Sequence, residues 1–279
     1  MRLPFLSARP PRVTRYQIAS PRWTAPPLTL ALLSDLHINQ PWTSLSYLDR
    51  IVDQTNQLGA DAILLLGDYV MDRNMRKLGA HCPDWSQIIR RLTQLEAPLG
   101  VHGILGNHDW KPFPPPSDGS PRRNLIAEAF AEQGLALLQN QSQRLDHGPD
   151  GIWLVGLDSQ RSHKIKKPRL RMVSLADAEA AYADLPQDSL SILLAHEPDY
   201  FALGDRRPVV QLSGHTHGGQ FRLFGRTPKV PSIYGDRYNG GHIVEHGRDL
   251  VVSCGIGYSG LPLRIGVPAE IVLLTIICA

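Results

Sequence analysis

Two histidines one residue apart and flanked by glycines, in Ser213-Gly214-His215-Thr216-His217-Gly218-Gly219, follow directly on the apolar run Val209-Val210-Gln211-Leu212. In extended backbone residues i and i+2 point the same way, so His215 and His217 are expected to reach into one site as metal ligands. The same arrangement recurs upstream. Asp35 and His37 follow the run Leu28 to Leu33, and Asp68 follows Ala62 to Leu66. Asn107 and His108 follow Gly100 to Leu105, and His196 follows Ser191 to Ala195. In open α/β sheets ligands bind beyond the carboxyl ends of the strands, where every one of these groups falls. The other six of the eleven histidines (His81, His102, His147, His163, His242 and His246) show no such placement and read as structural or exposed. Nitrogen and oxygen donors without sulfur suit a divalent first-row metal and argue against a structural zinc knot. Seven candidate ligands are too many for one catalytic ion; they suit two ions about 3.5 to 4 Å apart, bridged by a carboxylate.

The elements that must carry these residues alternate early in the chain. Strands are expected at Leu28 to Leu33, Ala62 to Leu66 and Gly100 to Leu105, separated by helical repeats at Leu45 to Leu58 and Trp85 to Leu95. A helix is expected at Leu125 to Glu132 and another behind a Ser174 cap. Further strands are expected at Leu135 to Leu138, Ser142 to Leu145, Ile152 to Val155 and Ser191 to Ala195. The last third reads as strands, at 209–212, 219–223, 242–245, 250–253 and 270–277, around a long Gly, Pro and Tyr-rich loop at 225–241. Alternation first and strands later predict two sheets packed face to face with helices outside. Residues 1–27, rich in Pro and Arg, are expected to form an arm over a single domain at 28–279, with one edge strand at most.

A chain of 279 residues with 42% hydrophobic residues buries a large core, and three cysteines are too few for a disulfide framework. No stretch reaches the roughly 18 apolar residues of a membrane helix, and no signal-peptide core stands at the start, so a cytoplasmic location is expected. The net charge of +3 is unevenly spread. Arg2, Arg9, Arg12, Arg15 and Arg22 precede the first acid, and Arg161, Lys164, Lys166, Lys167, Arg169 and Arg171 form a second run without one. Such clusters attract phosphate-bearing partners, including anionic lipid at the inner face of a membrane.

Taken in order, Asp35-Leu36-His37, Gly67-Asp68, Gly106-Asn107-His108-Asp109, Leu194-Ala195-His196 and Gly214-His215-Thr216-His217 resemble the motifs of the calcineurin-like metallophosphoesterases. The wording around them is most similar to the bacterial YkuE/YaeI-type branch, many members of which carry an N-terminal membrane segment or export signal. The resemblance implies an α/β fold, a four-layer αββα sandwich of two mixed β-sheets flanked by helices. It implies that Asp35, His37 and His217 hold one divalent ion, that Asn107, His196 and His215 hold a second, and that Asp68 bridges them. Manganese is favoured over Fe, Zn, Co or Ni. A water shared by two such ions loses its proton near neutral pH and attacks phosphorus. His108 is implied to stabilise or protonate the leaving oxygen, with Asp109 expected to accept its other N–H and set its tautomer. Arg222, Arg226, Tyr234 and Arg237 are expected, from position, to contact the phosphate or its substituent.

The implied activity is a dinuclear-metal phosphohydrolase acting on a phosphodiester or pyrophosphate. One substrate option is a lipid-linked nucleotide such as UDP-2,3-diacylglucosamine, cleaved by related branches in lipid A synthesis. Nucleotides and small phosphoesters, cleaved by a phosphodiesterase or phosphatase, are the other option. A nuclease is disfavoured because no DNA-clamping segment is recognisable, and no nucleic acid partner is expected. A non-catalytic interaction module is disfavoured because every ligand position is filled.

Overall fold

Apolar runs bounded by Gly, Asp and His form strands, and the helical repeats lie against their outer faces. The computed structural model describes residues 10–117, 122–165 and 171–279. In chain order these are β1 (Arg12–Ser20), β2 (Leu28–Leu33), α1 (Leu45–Asn56), β3 (Ala62–Leu65), α2 (Trp85–Leu92) and β4 (Val101–Gly103). They continue with α3 (Asn107–Trp110), α4 (Leu125–Glu132), β5 (Gln141–Leu145), β6 (Ile152–Gly156), β7 (His163–Ile165), β8 (Arg171–Val173) and α5 (Ala178–Tyr182). The remainder is β9 (Ser191–Leu194), β10 (Val210–Ser213), β11 (Gly241–Glu245), β12 (Arg248–Val252) and β13 (Glu270–Cys278).

The strands make two mixed sheets, ordered β1-β13-β2-β3-β4 and β11-β12-β10-β9-β6-β5, with β7 and β8 as a separate ribbon. Leu30, Leu32 and Leu64 of the first sheet pack on Leu154, Ile192, Leu194 and Leu212 of the second, with no solvent exposure. The outer face of the first sheet, Ala31, Leu33, Ile63 and Leu65, is covered by Leu48 and Ile51 of α1, Ile88 and Leu92 of α2 and Phe130 of α4. α1 starts where Ser44 accepts a hydrogen bond from Tyr47 N, satisfying one of the free N–H groups of a helix start. The fourth layer is thin. Val155, Leu193 and Ala195 are covered by Ala181 of α5 and by Tyr200 in a short 3-10 segment, Pro198–Leu203.

The expected sandwich is therefore observed, with local corrections. The one edge strand expected of the N-terminal arm is β1, nine residues long and parallel to β13. Residues 135–138 and 219–223 are not strands; Leu137 and Phe221 each make a single bridge, to Gly103 and Ile265. At the second site Gly219 and Gln220 have φ of +73° and +60°, which breaks any extended run. α5 is capped by Asp177, not Ser174, because Asp177 accepts from Ala180 N. No helix among the described residues is long and apolar enough to cross a membrane.

Candidate metal centre

The carboxyl ends of β2, β3, β4, β9 and β10 meet at one edge of the sandwich and bring the predicted residues together. Three overlapping groups form, Asp35–His37–His217, His37–Asp68–His108 and Asp68–His196–His215, each with its ligand atoms within 4.8 Å of one another and all of them buried. Asp68 stands at the middle. Its Oδ2 lies 3.4 Å from His37 Nε2 and 3.3 Å from His196 Nε2, while Oδ1 accepts from His108 N at 2.6 Å. Asp35 Oδ1 lies 3.3 Å from His217 Nε2, and the two rings of His37 and His217 face each other with Nε2 atoms 3.2 Å apart.

His215 and His217 do not share a face as extended backbone would require. Their φ angles are +70° and +54°, so the segment is a turn that sends His217 toward Asp35 and His215 toward His196 and Asp68. Asp35, His37 and Asp68 also have positive φ, so five of the ten described non-glycine residues in that region of backbone lie in this site. Such conformations persist where surrounding structure over-determines them, and they cluster at functional sites. Glycine makes the close approach possible. A Cβ on Gly106 would stand 2.2 Å from Asp68 Oδ1, and one on Gly214 would stand 1.8 Å from Ser34 Oγ.

The donor set fits divalent cations. His37 Nδ1 donates to Val70 O at 2.9 Å and His196 Nδ1 to Leu66 O at 2.6 Å, which leaves Nε2 of each with a free lone pair aimed inward. His215 Nε2 donates to Pro231 O, leaving Nδ1 as its ligand atom. Asp35 Oδ1, Asn107 Oδ1 and His196 Nε2 are buried without a hydrogen-bond partner. Buried electron-rich atoms crowded in this way are costly unless a cation compensates them. Asp68 and His196 form a buried ion pair. Burial pushes the Asp68 carboxyl up, but His196 foremost holds it well below the usual range. Against burial, Asp68 in turn holds His196 well above the ordinary histidine range, so a cation at Nε2 would take the place of that proton. Burial and neighbouring cationic groups hold His215 and His217 well below the ordinary histidine range, which keeps them neutral.

His108 sits beside this cluster, with its ring 4.8 Å from that of His37. Burial pushes it down to about 3. Its carboxylate neighbour is not Asp109. Asp109 accepts four backbone N–H groups instead, from Gly106 and Asp68 at 2.8 Å, Tyr69 at 2.9 Å and Val70 at 3.3 Å. It therefore ties the β3 and β4 ends together and leaves no oxygen for the imidazole. Asp72 is the carboxylate nearest the ring, with Oδ1 3.6 Å from His108 Nδ1 and so beyond hydrogen-bond reach, and Lys111 Nζ contacts His108 Nε2.

The expected phosphate contacts are also corrected. Arg237 pairs with Glu245 and lies beside Tyr234 and Tyr238, so its charge is compensated away from the cluster. Arg222 and Arg226 are exposed, and none of these residues nor Tyr234 lines the two adjoining clefts beside the cluster. Those clefts, of about 360 and 990 Å³, share Asp72, His108, His215 and Lys229; the larger is also lined by Lys111, Arg122 and Arg161. Lys111 follows the Gly106-to-Trp110 motif directly, and that position was its signal. Arg161 heads the basic run, and it reaches the cleft because Nη1 donates to Pro231 O at 2.9 Å. Residues 166–170 of that run lie outside the described residues. Arg264, also unforeseen, holds the back of His217, with Nη2 3.1 Å from Nδ1.

The model for the calcineurin-like phosphoesterase family matches residues 28–219. A transmembrane protein with metallophosphoesterase domain from Danio rerio is 29% identical over 273 residues, covering 95% of this chain and 57% of its own length. The metallophosphoesterase YkuE of Bacillus subtilis is 30% identical over 250 residues, covering 87% of this chain and 77% of its own. Among solved structures, a dimetal phosphatase from Danio rerio aligns over 82% of this chain and 88% of its own, with 14% identity and a TM-score of 0.48.

Proposed function

The chain belongs to the calcineurin-like phosphoesterase family, and on that premise we propose that it hydrolyses phosphodiester or pyrophosphate bonds at a two-metal centre. In this reading Asp35, His37 and His217 hold one ion, Asn107, His196 and His215 the other, and Asp68 lies between them. Mn is the favoured metal, ahead of Fe, Zn, Co and Ni. When bound, such a pair supplies an activated water and positive charge for the phosphoryl oxygens. The observation that carries the reading is the set of buried lone pairs on Asp35, Asn107 and His196 that no protein group satisfies.

The protein's own residues supply the remainder. Lys111, Lys229, Arg122 and Arg161 line the larger cleft and neutralise the phosphate as it enters. His108 is kept neutral by burial, and with Lys111 Nζ at its Nε2 the ring's one N–H is on Nδ1, which no protein group accepts and which it offers to the leaving oxygen without carrying a competing charge. Asp72, with Oδ1 3.6 Å from Nδ1, places a negative charge beside that ring.

A lipid-linked nucleotide such as UDP-2,3-diacylglucosamine is the proposed substrate, met at the cytoplasmic face of a membrane. A cleft of about 990 Å³ with a cationic lining supports a nucleotide diphosphate over a bare monoester. The test is hydrolysis by Mn-loaded protein of a panel of soluble diesters, monoesters, nucleotides and nucleotide-sugar lipids, with His108→Asn as the control. Turnover confined to monoesters removes the diester assignment, and no turnover of any member removes the enzyme reading.

A further inference from the structure

Large apolar side chains are exposed beside the cleft, at the tips of two loops. Of the eleven exposed large hydrophobic residues described, Leu223, Phe224, Ile233, Tyr234, Leu261, Leu263 and Ile265 fall in the segments 221–234 and 261–265. The first contains a two-residue turn. Leu223 N donates to Arg226 O and Arg226 N to Leu223 O, both at 2.9 Å, so Phe224 and Gly225 form the tip with φ of +50° and +77°. Asn-Gly is the pair such a turn favours, because an L side chain resists positive φ. Phe224 accepts that strain with its ring fully exposed, so no packing inside the molecule repays it.

The two loops are one surface. Arg222 N donates to Ile265 O and Ile265 N to Gln220 O, both at 2.8 Å. Phe221 therefore pairs with Ile265 in parallel register, and the two side chains share a face with Leu223 two residues on. Phe221 and Leu261 continue inward and line the smaller cleft beside His215 and His217. Charge is interleaved with this apolar rim. Arg222, Arg226 and Lys229 are exposed, and no acidic residue occurs between Gly218 and Gly235.

We propose that this rim, the 223–226 turn with the 261–265 loop, docks the protein on an anionic lipid bilayer, inserting Phe224 and Leu223 while Arg222 and Arg226 meet the headgroups. Protruding tips offer depth of insertion, whereas a second protein needs a complementary patch or groove. Basic residues around apolar anchors match an interface that is negative at its surface and hydrocarbon beneath. Docking here sets the mouth of the cleft against the headgroup layer. The surface exists whatever the chemistry, but its purpose rests on the phosphoesterase reading.

The test uses the full chain with vesicles of phosphatidylglycerol and phosphatidylcholine, compared with phosphatidylcholine alone, in a sedimentation assay at low and physiological salt. Wild type is expected to bind the anionic vesicles, and Phe224→Ser to lower the partition coefficient about tenfold. Arg226→Ser should lower it about fivefold at low salt and less at high salt. Phe224→Trp should give a blue-shifted emission that brominated acyl chains quench. Phe224→Ser is expected to keep its thermal midpoint and its hydrolysis of a soluble chromogenic diester. No vesicle binding by wild type, binding unchanged in Phe224→Ser, or indole emission of Phe224→Trp unmoved by vesicles overturns the proposal. A concentration-dependent dimer that Phe224→Ser abolishes also overturns it, since the rim then joins two copies. Vesicle binding without turnover of any member of the substrate panel upholds the docking and sinks the phosphoesterase reading, and the converse does the reverse.

Discussion

Gly214→Ala isolates the close approach on which the centre depends. The added methyl would stand 1.8 Å from Ser34 Oγ and 2.6 Å from Asp35 Oδ2. Neither neighbour can retreat, since Ser34 and Asp35 are both fully buried. Overpacking of this kind costs about 1–3 kcal/mol. Asp35 Oδ2 also accepts from Ser34 Oγ at 2.6 Å and His215 N at 3.0 Å, and pushing it aside loses one of these. A hydrogen bond to a charged group contributes about 1.5–3 kcal/mol. The stiffer unfolded chain returns about 0.4–1 kcal/mol. The net expectation is a destabilisation of about 2–5 kcal/mol, read by urea denaturation of the metal-free protein. Because Asp35 and His215 move together, calorimetric titration with Mn should also show weakened binding. Ser34→Ala in the Gly214→Ala background removes the nearest atom and should restore part of the stability. A Gly214→Ala protein that unfolds and binds Mn like wild type refutes the packing argument.

Asp68→Asn should lower metal content and turnover by on the order of a hundredfold, well beyond Asn107→Asp, because only the first removes charge between the two half-sites; equal occupancy in Asp68→Asn and wild type contradicts this. Metal content and activity are measured on the same preparations. In the metal-free protein, burial holds His108 at about 3 and His215 and His217 well below the ordinary range. These three histidines make the unfolded chain bind more protons below about pH 6.5, whereas Asp109, pushed by burial up to about 7, and Asp158, pushed by burial up to about 6, act in the opposite sense, so the histidine contribution is read as a difference. Relative to wild type, His108→Asn should gain stability as pH falls from about 6.5 toward 4, and an unchanged difference over that window is the contrary result. Saturating Mn should stabilise the protein by about 2.7 kcal/mol at a hundred times its dissociation constant, and an unchanged unfolding midpoint argues that no cation binds.

The residues that point into the centre were legible because each closes an apolar run, and a strand end fixes position without knowledge of the partners. Asp35, Asp68, Asn107, His196 and His215 needed only that rule. Groups placed by loops were not legible in the same way. Asp72 follows Met71 in a segment with no periodic pattern, yet it reaches both His108 and the backbone of Gly260, 188 positions away. Arg237 looked available from sequence because Glu245, which pairs with it, lies across the turn into β11. Strand length failed where glycine and αL backbone intervened, as at 219–223, since hydrophobic character alone does not register a positive φ.

The backbone of the centre explains why Asp109 belongs to the motif although it does not touch His108. Asp35, His37, Asp68, His215 and His217 have φ between +42° and +70°. At about 1–2 kcal/mol for each L residue held there, the strain is on the order of 5–10 kcal/mol, comparable with the whole net stability of a domain. It persists only if hydrogen bonds leave the loops no alternative. Asp35 N donates to Gly67 O, His37 N to Asp68 O and Ile38 N to Tyr69 O, all at 3.0 Å, which locks the β2 end to the β3 end. The Asp109 carboxylate then takes the N–H groups of Asp68, Tyr69, Val70 and Gly106, which locks the β3 end to the β4 end. Four donors converge on one side chain that only accepts, a demand an amide or hydroxyl does not meet. Asp109 thus fixes the two loops that carry Asp68 and Asn107, and backbone hydrogen bonds of the fold hold the ligand side chains in their strained conformations.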